Sequence, residues 1–125
     1  MEFPENLRYT ADHEWAKLDG DFVIVGITDF AQRELGDIVF VDITSLNETL
    51  DKESIFGTID AVKTVSELFM PISGTIVEVN PLLQDAPEKV NSDPYNDGWM
   101  IKIKPNDICD FDTLMDAAAY QSLVS

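Results

Sequence analysis

A lysine between two strand-like runs is the residue here whose setting could support chemistry. Residues 54–61 and 68–72 have strand character and hold Val62, Lys63 and Thr64 between them, the layout of a β-hairpin with Lys63 at its exposed tip. Gly57 and Gly74 bracket the unit, and glycine inside a strand pattern marks a bulge, a sharp bend or a close backbone approach. A lysine so placed has two readings. It can be a solvated charge that keeps an edge from pairing with other chains. It can also be an amine offered to a modifying enzyme, with rigid strands fixing the root of whatever prosthetic group is attached. Spacing alone leaves both open.

The other reactive side chains do not assemble into a catalytic set. His13 is the sole histidine, and beside Glu14 in a strand pattern it reads as a structural or surface residue rather than the base of a triad. Cys109 is the sole cysteine, so no intramolecular disulfide or thiolate zinc cluster can form, and it reads as inert packing. There is no phosphate-binding glycine loop, and the acidic loop 91–97 lacks EF-hand spacing. The expectation is a non-catalytic chain without a metal.

The elements that must position Lys63 follow in order. Residues 13–18 and 22–27 form a hairpin across Asp19-Gly20, with Trp15 packing on the core. Asp29 is expected to cap a helix over 30–35, with Gln32 completing a capping box, Gly36 stopping it, and Phe30, Ala31 and Leu35 facing the sheet. Residues 38–43 read as an almost continuously apolar strand. A polar loop over 44–53 follows, in which Asn47 suits a left-handed conformation. Beyond the lysine hairpin lie a strand over 75–79, a short helix over 81–86 begun by Pro81, and an ordered loop over 87–98. A strand over 99–104 ends at Pro105, and a C-terminal helix over about 112–123 carries Leu114, Ala117, Ala118 and Tyr120 on one side, with Asp112 and Asp116 near its positive end.

Composition bounds the rest. The 125 residues suit one domain spanning 1–125, and 45% hydrophobic residues argue against disorder. Eight basic against 24 acidic residues give a net charge of −16. Such a surface repels phosphate backbones and anionic membranes, which argues against nucleic-acid or membrane partners. It suits a shuttle meeting basic docking faces, and it equally serves solubility. The N-terminal residues lack a basic region and an apolar core, so a signal peptide is not expected, and no apolar run approaches the roughly 20 residues of a membrane span. A cytoplasmic protein is expected, or one of the mitochondrial matrix if a transit peptide has been removed.

Four segments carry a family resemblance. Asp60-Ala61-Val62-Lys63, with Gly74 eleven positions after the lysine, resembles the hairpin of biotinyl and lipoyl carriers. Tyr9-Thr10 with His13-Glu14-Trp15, the run 26–41 from Gly26-Ile27-Thr28-Asp29 into Leu35-Gly36-Asp37-Ile38, and Asn91 with Asp93-Pro94-Tyr95 and Gly98-Trp99 narrow it. Together they resemble the H proteins of the glycine cleavage system over nearly the whole chain. The resemblance implies a mainly β barrel-sandwich hybrid with short peripheral helices. It implies lipoate in amide linkage to Lys63, and a carrier role in glycine catabolism and one-carbon metabolism. In that cycle a pyridoxal-phosphate glycine decarboxylase (P protein) loads an aminomethyl group on the arm. A tetrahydrofolate-dependent aminomethyltransferase (T protein) removes the methylene, and dihydrolipoamide dehydrogenase (L protein) reoxidises the dithiol. A lipoate ligase or a lipoyl or octanoyl transferase would attach the arm. The resemblance also implies that Asp12, Glu14 and Glu67 line a cleft that parks the loaded arm, their charge favouring the ammonium form of its amine and so slowing its loss.

Other readings differ at named residues. Biotin carriers usually flank the lysine with methionines, where this chain has Val62 and Thr64. Lipoyl domains of 2-oxoacid dehydrogenases are shorter and would not need the segments around His13 and Asp93. An H-like protein relaying lipoate to other enzymes, and an acidic adaptor whose lysine is never modified, are the remaining alternatives.

Overall fold

The computed structural model describes residues 2–124. Two antiparallel sheets pack face to face around one core. Strands β1 (Arg8–Tyr9), β2 (Glu14–Asp19), β3 (Phe22–Ile27), β5 (Thr49–Leu50), β8 (Gly74–Val79) and β9 (Ile101–Pro105) form the larger sheet in the order β1-β2-β3-β9-β8-β5. The smaller sheet is β4 (Ile38–Asp42), β6 (Ile55–Ala61) and β7 (Val65–Phe69), in the order β4-β6-β7.

The register explains the core. Val23, Ile103 and Ile76 stand in line across β3, β9 and β8, and Val25, Ile101 and Val79 form a second row. Valine and isoleucine suit these pleated inner faces, and all but Val79 are buried. From the small sheet, Val41, Ile59 and Leu68 close the core from the other side. A second cluster lies on the outer face of the larger sheet, where Trp15, Tyr9, Leu7, Ala117 and Tyr120 pack together. Trp15 is therefore buried as expected, but in this second cluster rather than the central one.

Among the described residues four α-helices attach outside: α1 (Asp29–Leu35), α2 (Leu82–Asp85), α3 (Lys89–Ser92) and α4 (Ala117–Val124). The fold class read from the sequence is the observed one, with corrections at element ends. The first hairpin turns at Gly20-Asp21, because Asp19 still pairs with Phe22. Thr28, not Asp29, caps α1: its hydroxyl accepts the Ala31 N–H at 3.1 Å, while Asp29 binds the Gln32 amide from inside the first turn. Asn47 is left-handed as expected. Val39 and Phe40 are exposed, so β4 is only half-buried despite its apolar run, with a register shift between Ile38 and Phe40. The segment 87–98 is ordered but contains α3, which was not foreseen.

The C-terminal helix starts later than expected. A 3-10 helix (Ile108–Thr113) occupies its predicted first turn, Met115 bridges to Tyr9, and Asp116 caps α4 by accepting the Ala119 N–H at 2.8 Å. Leu114 thus lies outside the helix and Ala118 faces solvent, while Ala117 and Tyr120 point inward. Cys109 is exposed rather than packed. Asp107, which lies beside it, pushes its thiol pKa up, so it is a poor thiolate nucleophile for an electrostatic reason.

Candidate functional site

Lys63 stands at the tip where the hairpin reading put it, although the second arm is β7 (Val65–Phe69) and not residues 68–72. The Ala61 N–H donates to Thr64 C=O at 2.8 Å, which closes a two-residue tip of Val62 and Lys63 between β6 and β7. Close approaches hold the hairpin: a Cβ at Gly57 would lie 2.6 Å from Asp42 O, and one at Gly74 would lie 2.5 Å from Ile103 Cγ2. Both glycines are where two backbones meet, as their placement in the strand pattern implied.

The tip rests on a built seat. Gly36 ends α1 with φ +81°, and the Lys63 side chain crosses it, its Cε 3.5 Å from where a Gly36 Cβ would be. The Val62 N–H donates to Asp37 C=O at 3.0 Å. Asn91 pins this turn from below. Its amide nitrogen donates to Gly36 C=O at 2.9 Å and Gln32 Oε1 at 3.0 Å, and its oxygen accepts the Ile38 N–H at 2.9 Å. Lys63 is exposed and, among the described residues, no carboxylate comes within salt-bridge distance of its amine.

Beside the seat a cleft of about 120 Å³ opens between α1 and β7. Asp12, Glu14 and Glu67 all line it, together with His13, Glu34, Leu35 and the apolar Ile27, Ile59 and Leu68. The three residues singled out from the sequence are therefore brought together, although they come from the β1–β2 connection, β2 and β7. Glu34 and His13 as lining residues were missed. Glu34 was legible as a helical neighbour of Leu35; the inward turn of His13 was not, since it depends on a left-handed backbone at φ +67°.

The carboxylates are not equivalent. Asp12 and Glu67 are exposed, whereas Glu14 keeps only 2% of its surface. One Glu14 oxygen accepts the Phe69 N–H at 2.7 Å and the other accepts the Thr10 hydroxyl at 3.3 Å. It thereby satisfies a free N–H on β7 and stitches β2 of the large sheet to the small one. Burial pushes its pKa up to about 8 against these two hydrogen bonds, so near neutral pH its protonated form is favoured. Asp12, Glu34 and Glu67 are the exposed carboxylates of the lining. The neighbouring Asp12 carboxylate raises the pKa of Glu53.

Comparison with known proteins decides what this arrangement belongs to. The family model for the glycine cleavage H-protein matches residues 7–125. The chain belongs to the glycine cleavage H-protein family. It is 54% identical over 125 residues to the glycine cleavage system H protein of Bacteroides fragilis, covering 100% of this chain and 99% of that one. The H protein of Anaeromyxobacter sp. is likewise 54% identical over 124 residues, covering 99% and 97%. The crystal structure of the Mycobacterium marinum H protein superposes with a TM-score of 0.86 at 39% identity, covering 95% of this chain and 96% of that one. Membership makes this H protein a lipoyl carrier of the glycine cleavage system.

Proposed function

We propose that Lys63 is the lipoyl attachment residue and that the neighbouring cleft, lined by Asp12, Glu14 and Glu67, receives the free end of the arm. The observation that carries this is the adjacency of an exposed amine, without an ion-pair partner among the described residues, to an acidic cleft starting at Leu35, next to the Gly36 seat. The residues fit the group. The amine is accessible to acylation, the Lys63 stem lies over a residue without a side chain, and apolar Ile27, Leu35 and Ile59 can receive a hydrocarbon chain. Lipoate held there would supply a disulfide whose opening frees one sulfur as a thiol and leaves the other to carry the aminomethyl group of glycine.

The chain's own residues root and shelter that arm. The hairpin fixes its base, the apolar lining excludes water, and Asp12 and Glu67 favour a cationic end over its neutral form. A cation arriving in the cleft would favour the ionised form of Glu14 by offsetting the cost of its burial. The chain itself supplies no catalytic group. Its partners are the P, T and L proteins of the system, together with the ligase or transferase that acylates Lys63, and its compartment is the cytoplasm.

Intact mass tests the attachment. Protein from lipoate-supplied cells is expected to gain one lipoyl mass, and Lys63→Arg to lose it completely with an unchanged thermal midpoint. An adduct that persists in the arginine variant would move the attachment elsewhere.

A further inference from the structure

Behind the cleft, three side chains from distant segments form a hydrogen-bonded line. His13 Nδ1 lies 2.9 Å from the Tyr120 hydroxyl, which lies 2.8 Å from Thr28 Oγ1, and that oxygen accepts the Ala31 N–H at 3.1 Å. Thr28 and Tyr120 are fully buried, so each hydroxyl hydrogen needs an acceptor. Only one order of donation provides both. Thr28 donates to Tyr120, and Tyr120 donates to a bare His13 Nδ1. If Nδ1 carried the hydrogen and donated instead, the line would end at a Thr28 hydroxyl with no acceptor among the described residues, an uncompensated loss.

The imidazole proton therefore sits on Nε2, a nitrogen that makes no hydrogen bond among the described residues although His13 lines the cleft. A second proton would have to enter at Nδ1 and would strand one buried hydroxyl hydrogen. The backbone is bent to hold this geometry: at φ +67° the His13 N–H donates to Thr10 C=O, and its own C=O accepts the Thr28 N–H at 3.0 Å. The ring packs against Phe30 of α1 at 4.8 Å between centroids.

We infer that Tyr120 and Thr28 lock His13 as the neutral Nε2–H tautomer, making it an uncharged hydrogen-bond donor in the wall of the cleft that receives the cationic end of the arm. The inference rests on the arm-cleft reading given above. Neutrality matters because an imidazolium would repel an ammonium in the same small space. The carboxylates facing His13 that otherwise invite protonation are Asp12 on its own segment, Glu34 on α1 and Glu67 on β7, while Glu14 on β2 faces it with its pKa raised toward the neutral form. Tyr120 reaches it from α4. Burial opposes the pull of Asp12 and Glu34 and leaves the imidazole below its usual range, the direction the hydroxyl line reinforces. The donor itself suits an acceptor on the arm, a sulfur or the amide carbonyl. His13 is thus a binding residue, and Tyr120 a positioning residue acting through it.

A single histidine makes the test clean. Long-range 15N correlation spectra of the labelled full chain without lipoate, near neutral pH, are expected to show protonated Nε2 and unprotonated Nδ1. Tyr120→Phe keeps a ring stacked on Tyr9, 4.7 Å between centroids, but removes the donor. It is expected to give a tautomer mixture and a higher imidazole midpoint. In lipoylated, loaded protein the wild-type Nε2–H resonance should shift, and Tyr120→Phe should shorten aminomethyl retention several-fold near pH 6 but little at pH 8. A wild-type Nδ1–H tautomer overturns the inference without any variant having to fold, and so does a Tyr120→Phe protein with unchanged ring shifts. Loading that leaves the Glu67 and Leu68 amides unmoved overturns the cleft reading separately, whatever the tautomer.

Discussion

Glu14 couples the stability of the sandwich to pH. Its ordinary pKa near 4.5 is raised to about 8 in the folded chain by burial, so the native state holds a proton that the unfolded state releases. The contribution is therefore fully favourable below about pH 4.5, declines as pH rises, and levels off past about pH 8. One group can contribute a slope of at most about 1.4 kcal/mol per pH unit. Urea unfolding between these limits should show wild type losing stability with pH and Glu14→Gln losing less, since glutamine can still accept the Phe69 N–H without titrating. Equal pH slopes for the two proteins would remove Glu14 as the source. Glu14→Ala is expected to be worse at every pH, by about 2–3 kcal/mol, because it leaves that N–H unpaired and a cavity behind it.

The turn at Gly36 holds the hairpin tip at the level of elements, and Asn91 holds the turn. Asn91→Ala removes three hydrogen bonds, to Gly36, Gln32 and Ile38, and is expected to cost about 2–3 kcal/mol. Its signature is local: faster hydrogen exchange at Ile38 and Val62, with the larger sheet unaffected. Uniformly faster exchange would mean that Asn91 supports the whole fold and not the seat. This arrangement also marks how far sequence reading reached. Alternation and turn residues located the Lys63 tip and the longer strands, because those signals are local, but they set β7 three residues late and missed the two-residue strands β1 and β5, which exist only through their pairing with β2 and β8. The cap on α1 was misplaced by one residue because Thr28 and Asp29 are both good caps, and the choice fell to a buried contact with Tyr120 that is 92 positions away. The late start of α4 has the same origin, since Met115 is drawn into a bridge with Tyr9 before a helix can begin. The acidic cleft was reachable only through resemblance, as Asp12, Glu14 and Glu67 share no spacing pattern along the chain.

At the scale of the whole molecule, a net charge of −16 on 125 residues acts at a distance on every encounter with a partner. Within about 8 Å at physiological ionic strength this field is felt, and beyond it counterions screen it. Steering of this kind changes how often partners meet in the right orientation and leaves the chemistry after docking alone. A carrier that visits several enzymes gains from fast arrival without tight residence, because each complex must dissociate before the next can form. Raising salt from about 50 to 500 mM should therefore raise the apparent KM of the partner decarboxylase for this carrier several-fold while changing its kcat little. A salt-independent KM would show that the acidic surface serves solubility alone and that contacts around the Lys63 tip, where Val62 is 74% exposed, suffice for recognition.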